Sequence, residues 1–289
     1  MKDIFVIAGP TGVGKTKFSV MLAKKINAEI VNADSMQVYK GMNIGTAKIK
    51  EDEKENIPHH LFDICDTFYD YTIYDYQKDC RNAISDILNR GKKVILTGGS
   101  GLYIRAALYD YKFNKEETKN DYSNYSNEEL FAMVKNIDSN TTIHVNNRRR
   151  LERFLDKNNN GVIDNVKSKP LYDFDIIGLT TDREKLYNII DERVDKMVTE
   201  GLIDEAKTFY DKGDNSKAIK TAIGYKELYE YFNGDISLED AINNIKRNSR
   251  RFAKRQFTFF NNQFDMNWFN VNYDDPDVTL NEIFTFIDR

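Results

Sequence analysis

The sequence predicts an α/β protein: a parallel sheet flanked by helices, with a small helical insertion. Three observations predict it. Residues 4–16 read as a short buried strand, a glycine-bearing loop and the start of a helix. Further short apolar runs at 29–33, 94–97 and 175–179 alternate with segments of helical apolar spacing. A polar, tyrosine-rich stretch at 113–138 interrupts that alternation. The first stretch makes the core P-loop NTPase-like, because Gly9, Gly14, Lys15 and Thr16 stand at the defining places of G-x-x-x-x-G-K-[ST].

In that loop, glycines let the backbone wrap an anion, and N–H groups at the following helix N-terminus point inward at it. Gly9, Pro10, Thr11, Gly12, Val13, Gly14, Lys15 and Thr16 are therefore the candidate phosphate or diphosphate ligands. Lys15 adds a point charge, and the Thr16 hydroxyl can hold Mg²⁺. An ordinary Gly-rich turn leaves Lys15 and Thr16 unexplained.

Composition sets the outer limits. A chain of 289 residues buries a substantial core, as one domain with an insertion or as two domains. Hydrophobic content of 40% and charged content of 30% are those of soluble globular proteins. No apolar run reaches membrane-spanning length. Lys2 leads directly into a structural strand, so no signal peptide is expected. Cys65 and Cys80 form neither a disulfide framework nor a zinc set and are expected as buried free thiols in a reducing cytoplasm. A net charge of −4 excludes a protein basic all over and leaves nucleic-acid binding to local clusters.

After the first helix (15–26), the strand at 29–33 ends in Asp34-Ser35-Met36-Gln37-Val38-Tyr39. Ligands of open α/β sheets sit beyond the carboxyl ends of strands, which places Asp34 facing the loop. A carboxylate there can accept a proton from a nucleophile or orient it; the alternative is an N-cap for the next turn. Residues 41–48 form a loop with two glycines, and His59 and His60 read as packing or hydrogen-bonding side chains. Residues 75–88 place Tyr76, Cys80, Ala83, Ile84 and Ile87 on one helical face, which Gly91 ends. The strand at 94–97 runs into Gly98-Gly99-Ser100-Gly101-Leu102-Tyr103, where a P-loop ATPase usually carries an acid. That weakens a hydrolytic motor or switch and leaves a small-molecule kinase or another diphosphate-using transferase.

The expected organisation is a core of 1–112 and 143–289 with an insertion at 113–142, a lid with one helix (128–134) and no core of its own. At 148–153, four arginines surround Leu151, Phe154 and Leu155, either as a solvated face or as an anion-binding one. A strand at 175–179 follows, then Asp182 capping a helix through Tyr187, Ile190, Val194 and Met197. Residues 201–210 are amphipathic, and 222–228 open a further helix. Six of the ten residues 246–255 are cationic, with Ile242, Ile245, Phe252, Phe257 and Phe260 supplying the apolar side. Two such clusters in an acidic chain suggest a polyanion groove. A strand at 268–271 and a helix at 280–287 close the chain.

The loop motif, Asp34 to Tyr39, Gly41-Met42-x-Ile44-Gly45-Thr46-Ala47-Lys48, Pro58-His59-His60, Gly98-Gly99-Ser100-x-Leu102-Tyr103, Ile223-Gly224-Tyr225 and Arg251-x-Ala253-Lys254-Arg255-Gln256 together resemble the tRNA dimethylallyltransferases (tRNA isopentenyltransferases) in kind and order. The resemblance runs from the first strand to about Phe260. It implies transfer of the dimethylallyl group of dimethylallyl diphosphate to N6 of adenosine 37, in the anticodon stem-loop of tRNA, with release of diphosphate. It implies Mg²⁺ as cofactor, placed with help from Thr16, and Asp34 as general base. It gives Lys15 and Lys226 to the diphosphate, and Asp34, Ser35, Met36 and Gln37 to the flipped base. Ser100 stands where the family usually has threonine and, with Asp34, Lys15 and Thr16, would be catalytic, and would also contact the tRNA. Arg149, Arg150, Arg153, Arg250, Arg251, Lys254 and Arg255 would contact tRNA. Without a Cys/His zinc module the chain resembles the bacterial type, expected as a cytoplasmic monomer away from membranes. The rival readings are an adenylate isopentenyltransferase, a P-loop small-molecule kinase and a non-catalytic RNA-binding module.

Overall fold

The computed structural model describes residues 1–113, 120–160 and 169–289. The chain divides into two compact units, Met1–Tyr109 with Pro170–Arg289, and Asp110–Lys169.

In the first unit the order is β1 (Ile4–Ala8), α1 (Lys15–Ile26), β2 (Ala28–Asn32), β3 (His59–His60), α2 (Ile73–Asn89), β4 (Lys93–Gly98) and α3 (Gly101–Leu108). The second unit contributes α4 (Asn127–Ile137) and α5 (Arg148–Asn160). The first unit resumes with β5 (Phe174–Thr180), α6 (Arg183–Thr199), α7 (Leu202–Asp211), α8 (Lys217–Thr221), α9 (Tyr225–Phe232), α10 (Leu238–Gln263), β6 (Asn267–Asn270) and α11 (Pro276–Ile287).

The strands form one sheet in the order β3-β2-β4-β1-β5-β6, every pair parallel. A parallel sheet is covered on both faces, which is why Ile-Phe-Val-Ile-Ala of β1 is apolar throughout instead of alternating. Ile4, Val6 and Ala8 join one core with α2 residues Tyr76, Cys80 and Ile84, while Phe5 and Ile7 join the other with α1 residues Phe18 and Leu22. Ala8 is level with Gly98 of β4 and Gly178 of β5, and Asn32 of β2 is level with Thr97. The chain segments after β1, β2 and β4 therefore all leave from the same edge of the sheet, and that edge carries the site.

Two local readings differ. Residues 59 and 60 form β3, where no strand was expected. The helix expected to open at residue 222 opens instead at Tyr225 as α9, with Gly224 at φ +101 before it and the short α8 ending at Thr221. Ala222 and Ile223 continue the apolar spacing of α9, so periodicity alone does not reveal that start.

In the second unit, Ser126 and Glu129 form a capping box on α4. Leu130 and Val134 of α4 bury against Leu151 and Leu155 of α5. The insertion thus has a small core of its own, contrary to expectation, and extends over 110–169 instead of 113–142, because the apolar stripe of α4 packs against α5. The arginines of α5 move with it. Arg149, Arg150 and Arg153 are exposed, opposite the leucines. The charged run at 114–119 lies outside the described residues.

Candidate active site

The loop after β1 is held by its surroundings. Gly9 has φ +151, and a Cβ there would lie 2.5 Å from the Leu179 carbonyl of neighbouring β5, so only glycine fits. Lys15 Nζ donates to the carbonyls of Gly9 at 3.0 Å and Pro10 at 2.8 Å. Burial brings its ammonium down to about 8; Asp34 works against that shift and Arg193 with it. Thr11, Gly12, Gly14, Lys15 and Thr16 line a cavity of about 530 Å³. Gly9 and Pro10 are buried, and Val13 packs into the core with Phe18, so these three shape the loop without facing the cavity.

Asp34 is set by its neighbours. Asn32 Oδ1 accepts the Asp34 N–H at 2.8 Å, and Asn32 Nδ2 donates to the Asp34 carbonyl at 3.1 Å and to Leu61 O at 2.9 Å. The Met36 N–H donates to Asp34 Oδ1 at 2.9 Å. That bond caps the turn that follows, as the alternative reading of Asp34 expects. The second carboxylate oxygen has no protein partner among the described residues. Asp34 lines the 530 Å³ cavity and also a second one of about 230 Å³; Thr11, Thr46 and Arg193 are likewise common to both.

The residues after Asp34 separate. Gln37 lines the first cavity, its Nε2 donating to Thr46 O at 2.9 Å, while Ser35 and Met36 line the second. The 43–45 backbone is fixed by Glu205 of α7, whose carboxylate accepts the N–H groups of Asn43, Ile44 and Gly45 at 2.9–3.0 Å. Ser100 borders neither cavity. Its Oγ accepts the Ser35 N–H at 3.1 Å and donates to Ser35 Oγ at 3.3 Å. Its hydroxyl braces the Asp34 loop through Ser35.

Lys226 lines the second cavity and lies 3.5 Å from Glu227. It is not on the wall with Lys15 and Thr16, where Arg193 of α6 stands instead, donating to Thr11 Oγ1 at 2.9 Å. Burial lowers the Arg193 guanidinium, and Asp34 opposes the shift. Nothing in the sequence singles out Arg193, because one arginine on an amphipathic helix carries no local mark. On α10, Arg250 is spent on Asp191 at 2.5 Å and Lys246 on Asp195 at 2.6 Å, ion pairs with α6 that remove Arg250 from the free cations. Arg251 and Lys254 are exposed, and Arg255 lies over Phe252 at 5.7 Å on the wall of the second cavity. Gln256, the last residue of the motif that opens at Arg251, is buried and bonded to Thr11 and Gly99.

The histidines hydrogen-bond: His59 Nδ1 to Ile57 O at 2.7 Å and His60 Nε2 to Glu29 at 2.7 Å. Arg90 is the main reason the Glu29 carboxyl falls to about 2.

The family model for IPP transferases matches residues 37–263. The chain is 45% identical to a tRNA dimethylallyltransferase of Anoxybacillus flavithermus, over 99% of this chain and 96% of that one. It is 43% identical to the tRNA dimethylallyltransferase of Bacillus subtilis, again over 99% and 96%. Among solved structures it is similar to the full-length tRNA isopentenylpyrophosphate transferase of Bacillus halodurans, with TM-score 0.78, 40% identity and coverage of 100% of this chain and 96% of that chain. A eukaryotic dimethylallyltransferase acting on tRNA gives TM-score 0.77 at 29% identity, covering 93% of this chain and 74% of that chain.

Proposed function

The chain belongs to the IPP transferase family, and from that membership we propose that it transfers the dimethylallyl group of dimethylallyl diphosphate to N6 of adenosine 37 in tRNA. One observation carries the mechanism: the unpartnered oxygen of Asp34 belongs to a residue on the wall of both cavities, one of which is floored by the phosphate loop. A donor and an acceptor base that enter from different cavities meet at Asp34. The N6 lone pair attacks C1 of the dimethylallyl group, the C1–O bond breaks, diphosphate leaves with the electron pair, and the N6 proton passes to Asp34.

The leaving diphosphate gathers negative charge, and the N–H groups opening α1, Lys15 and Arg193 stabilise it in place. The Thr16 hydroxyl and the Asp34 carboxylate line the same cavity and are oxygen donors, a set that suits Mg²⁺ held mainly by substrate phosphates. Bound there, the ion would neutralise charge on the diphosphate. Adenosine 37 must leave the anticodon-loop stack, which costs a few kcal/mol and is least expensive in a single-stranded loop. The exposed Arg251, Lys254 and Arg255, with Arg149, Arg150 and Arg153 of the second unit, are the proposed phosphate contacts that offset it. A tRNA substrate and the free thiols of Cys65 and Cys80 support a cytoplasmic setting.

The test is one incubation of protein, Mg²⁺ and labelled dimethylallyl diphosphate with either unmodified tRNA or AMP. Label is expected in tRNA alone, at adenosine 37. Label in AMP and not in tRNA would replace this reading with an adenylate isopentenyltransferase.

A further inference from the structure

Within the basic stretch of α10, Gln256 faces inward at 4% exposure while Arg255 beside it is exposed. Its amide makes two bonds of opposite sense. Oε1 accepts the Thr11 N–H at 2.8 Å, and Nε2 donates to the Gly99 carbonyl at 3.1 Å. Thr11 belongs to the phosphate loop after β1, and Gly99 to the turn after β4, its neighbouring strand. A Cβ on Gly99 would come within 2.0 Å of Nε2, so the turn approaches the amide as closely as glycine permits. The Thr11 hydroxyl accepts from Arg193. One loop residue is thus gripped from α10 through its amide and from α6 through its side chain.

We propose that Gln256 is a positioning residue of the transfer reaction. By occupying the Thr11 amide it fixes the loop, so that the cavity-lining residues from Gly12 to Thr16 and the Arg193 guanidinium stand ready for the diphosphate. The inference rests on the diphosphate-transfer reading of the preceding section. The chemistry of the position calls for an amide: one planar group must accept from one backbone and donate to another at once. Leucine does neither, and asparagine is one methylene short. An ionised glutamate accepts from Thr11 but sets a negative oxygen against the Gly99 carbonyl, whereas a protonated one donates to it and restores both bonds.

The experiment compares wild type, Gln256→Leu and Gln256→Glu. The readouts are diphosphate affinity by direct binding without tRNA, KM for dimethylallyl diphosphate, kcat, affinity for an anticodon stem-loop RNA, and melting temperature. Gln256→Leu should weaken diphosphate binding by about tenfold or more, as loss of preorganised donors at such a site does, while RNA affinity stays within about twofold. Gln256→Glu should approach wild type near about pH 6 and fall away as its carboxylate ionises towards about pH 8. Lys15 and Arg193, the charged groups bonded to this loop, are present in all three proteins, so the uncharged leucine variant taken over the same pH range shows how much of the change is theirs. Should the leucine variant not fold, the glutamate variant at low pH supplies the comparison. Unchanged diphosphate affinity with only a lowered melting temperature, or lost RNA affinity with donor affinity intact, overturns the proposal. A wild-type protein that binds diphosphate but modifies no tRNA would sink the functional reading, and the binding arm would still judge Gln256.

Discussion

Replacing Asp34 with asparagine removes a charge and a proton acceptor while leaving the turn intact. Its Oδ1 can still accept the Met36 N–H, the 2.9 Å bond that shapes the loop. The oxygen given up is the unpartnered one. Loss of a positioned general base costs roughly 10²–10⁴ in rate, or about 3–5 kcal/mol of barrier. Alanine at the same place also loses the Met36 bond, worth about 1 kcal/mol, so it should be only about fivefold to tenfold slower than asparagine. The assay is a single-turnover reaction with saturating dimethylallyl diphosphate and an unmodified anticodon stem-loop, read by mass spectrometry. It belongs near pH 7, below the value of about 8 at which Lys15 titrates, since removing Asp34 takes away a group that favours the charged lysine. An asparagine variant within about fivefold of wild type, beside an alanine variant a hundredfold slower, would show that Asp34 acts through the turn and not through the proton.

The Lys15 ammonium, brought down to about 8 by burial, predicts that kcat/KM for the donor falls as pH rises through that value, and that Lys15→Arg removes this limb; a pH profile of both proteins decides it. Folding stability should run the other way, because a penalty on the charged form is present below pH 8 and fades as pH climbs towards 10.5. Arg251→Ala should lower the salt slope of RNA binding by about one, whereas Arg250→Ala, which breaks the half-exposed pair with Asp191, should leave the slope alone and cost about 0–1 kcal/mol in denaturant titration. Leu151→Ala empties a fully buried position beside Leu130 and Val134 and should destabilise the second unit by about 2–5 kcal/mol, seen as faster proteolysis within 110–169 while diphosphate binding persists.

Features whose cause is local were legible in the sequence. The phosphate loop is specified by thirteen consecutive residues, and Asp34 by its place just past a strand. Features decided by a distant partner were not. Arg193 and Gln256 lie 182 and 245 positions from Thr11, and nothing near either residue announces the contact. Arg250 and Arg251 are adjacent and look equivalent, yet Asp191 on α6 takes one and leaves the other exposed. Ser100 bonds Ser35, 65 positions away, a contact that nothing beside it announces. The insertion was drawn too short for the same reason: only packing against Leu130 and Val134 shows that α5 belongs to it.

The bond between Thr11 and Gln256 also has a consequence for biosynthesis. At about 5–20 residues per second, the ribosome takes roughly 10–50 s to add the 245 positions that separate them. Strand β1, central in the sheet, waits for β5 before its second edge is covered. Until β5 is made the nascent chain carries an open apolar strand edge, and until α10 is made an unclamped anion loop, the condition in which non-local folds are slowest and most exposed to misassembly. The finished site therefore arises late and all at once, when α10 emerges from the ribosome, and a chain truncated ahead of that helix would hold the whole phosphate motif without the side chain that grips it.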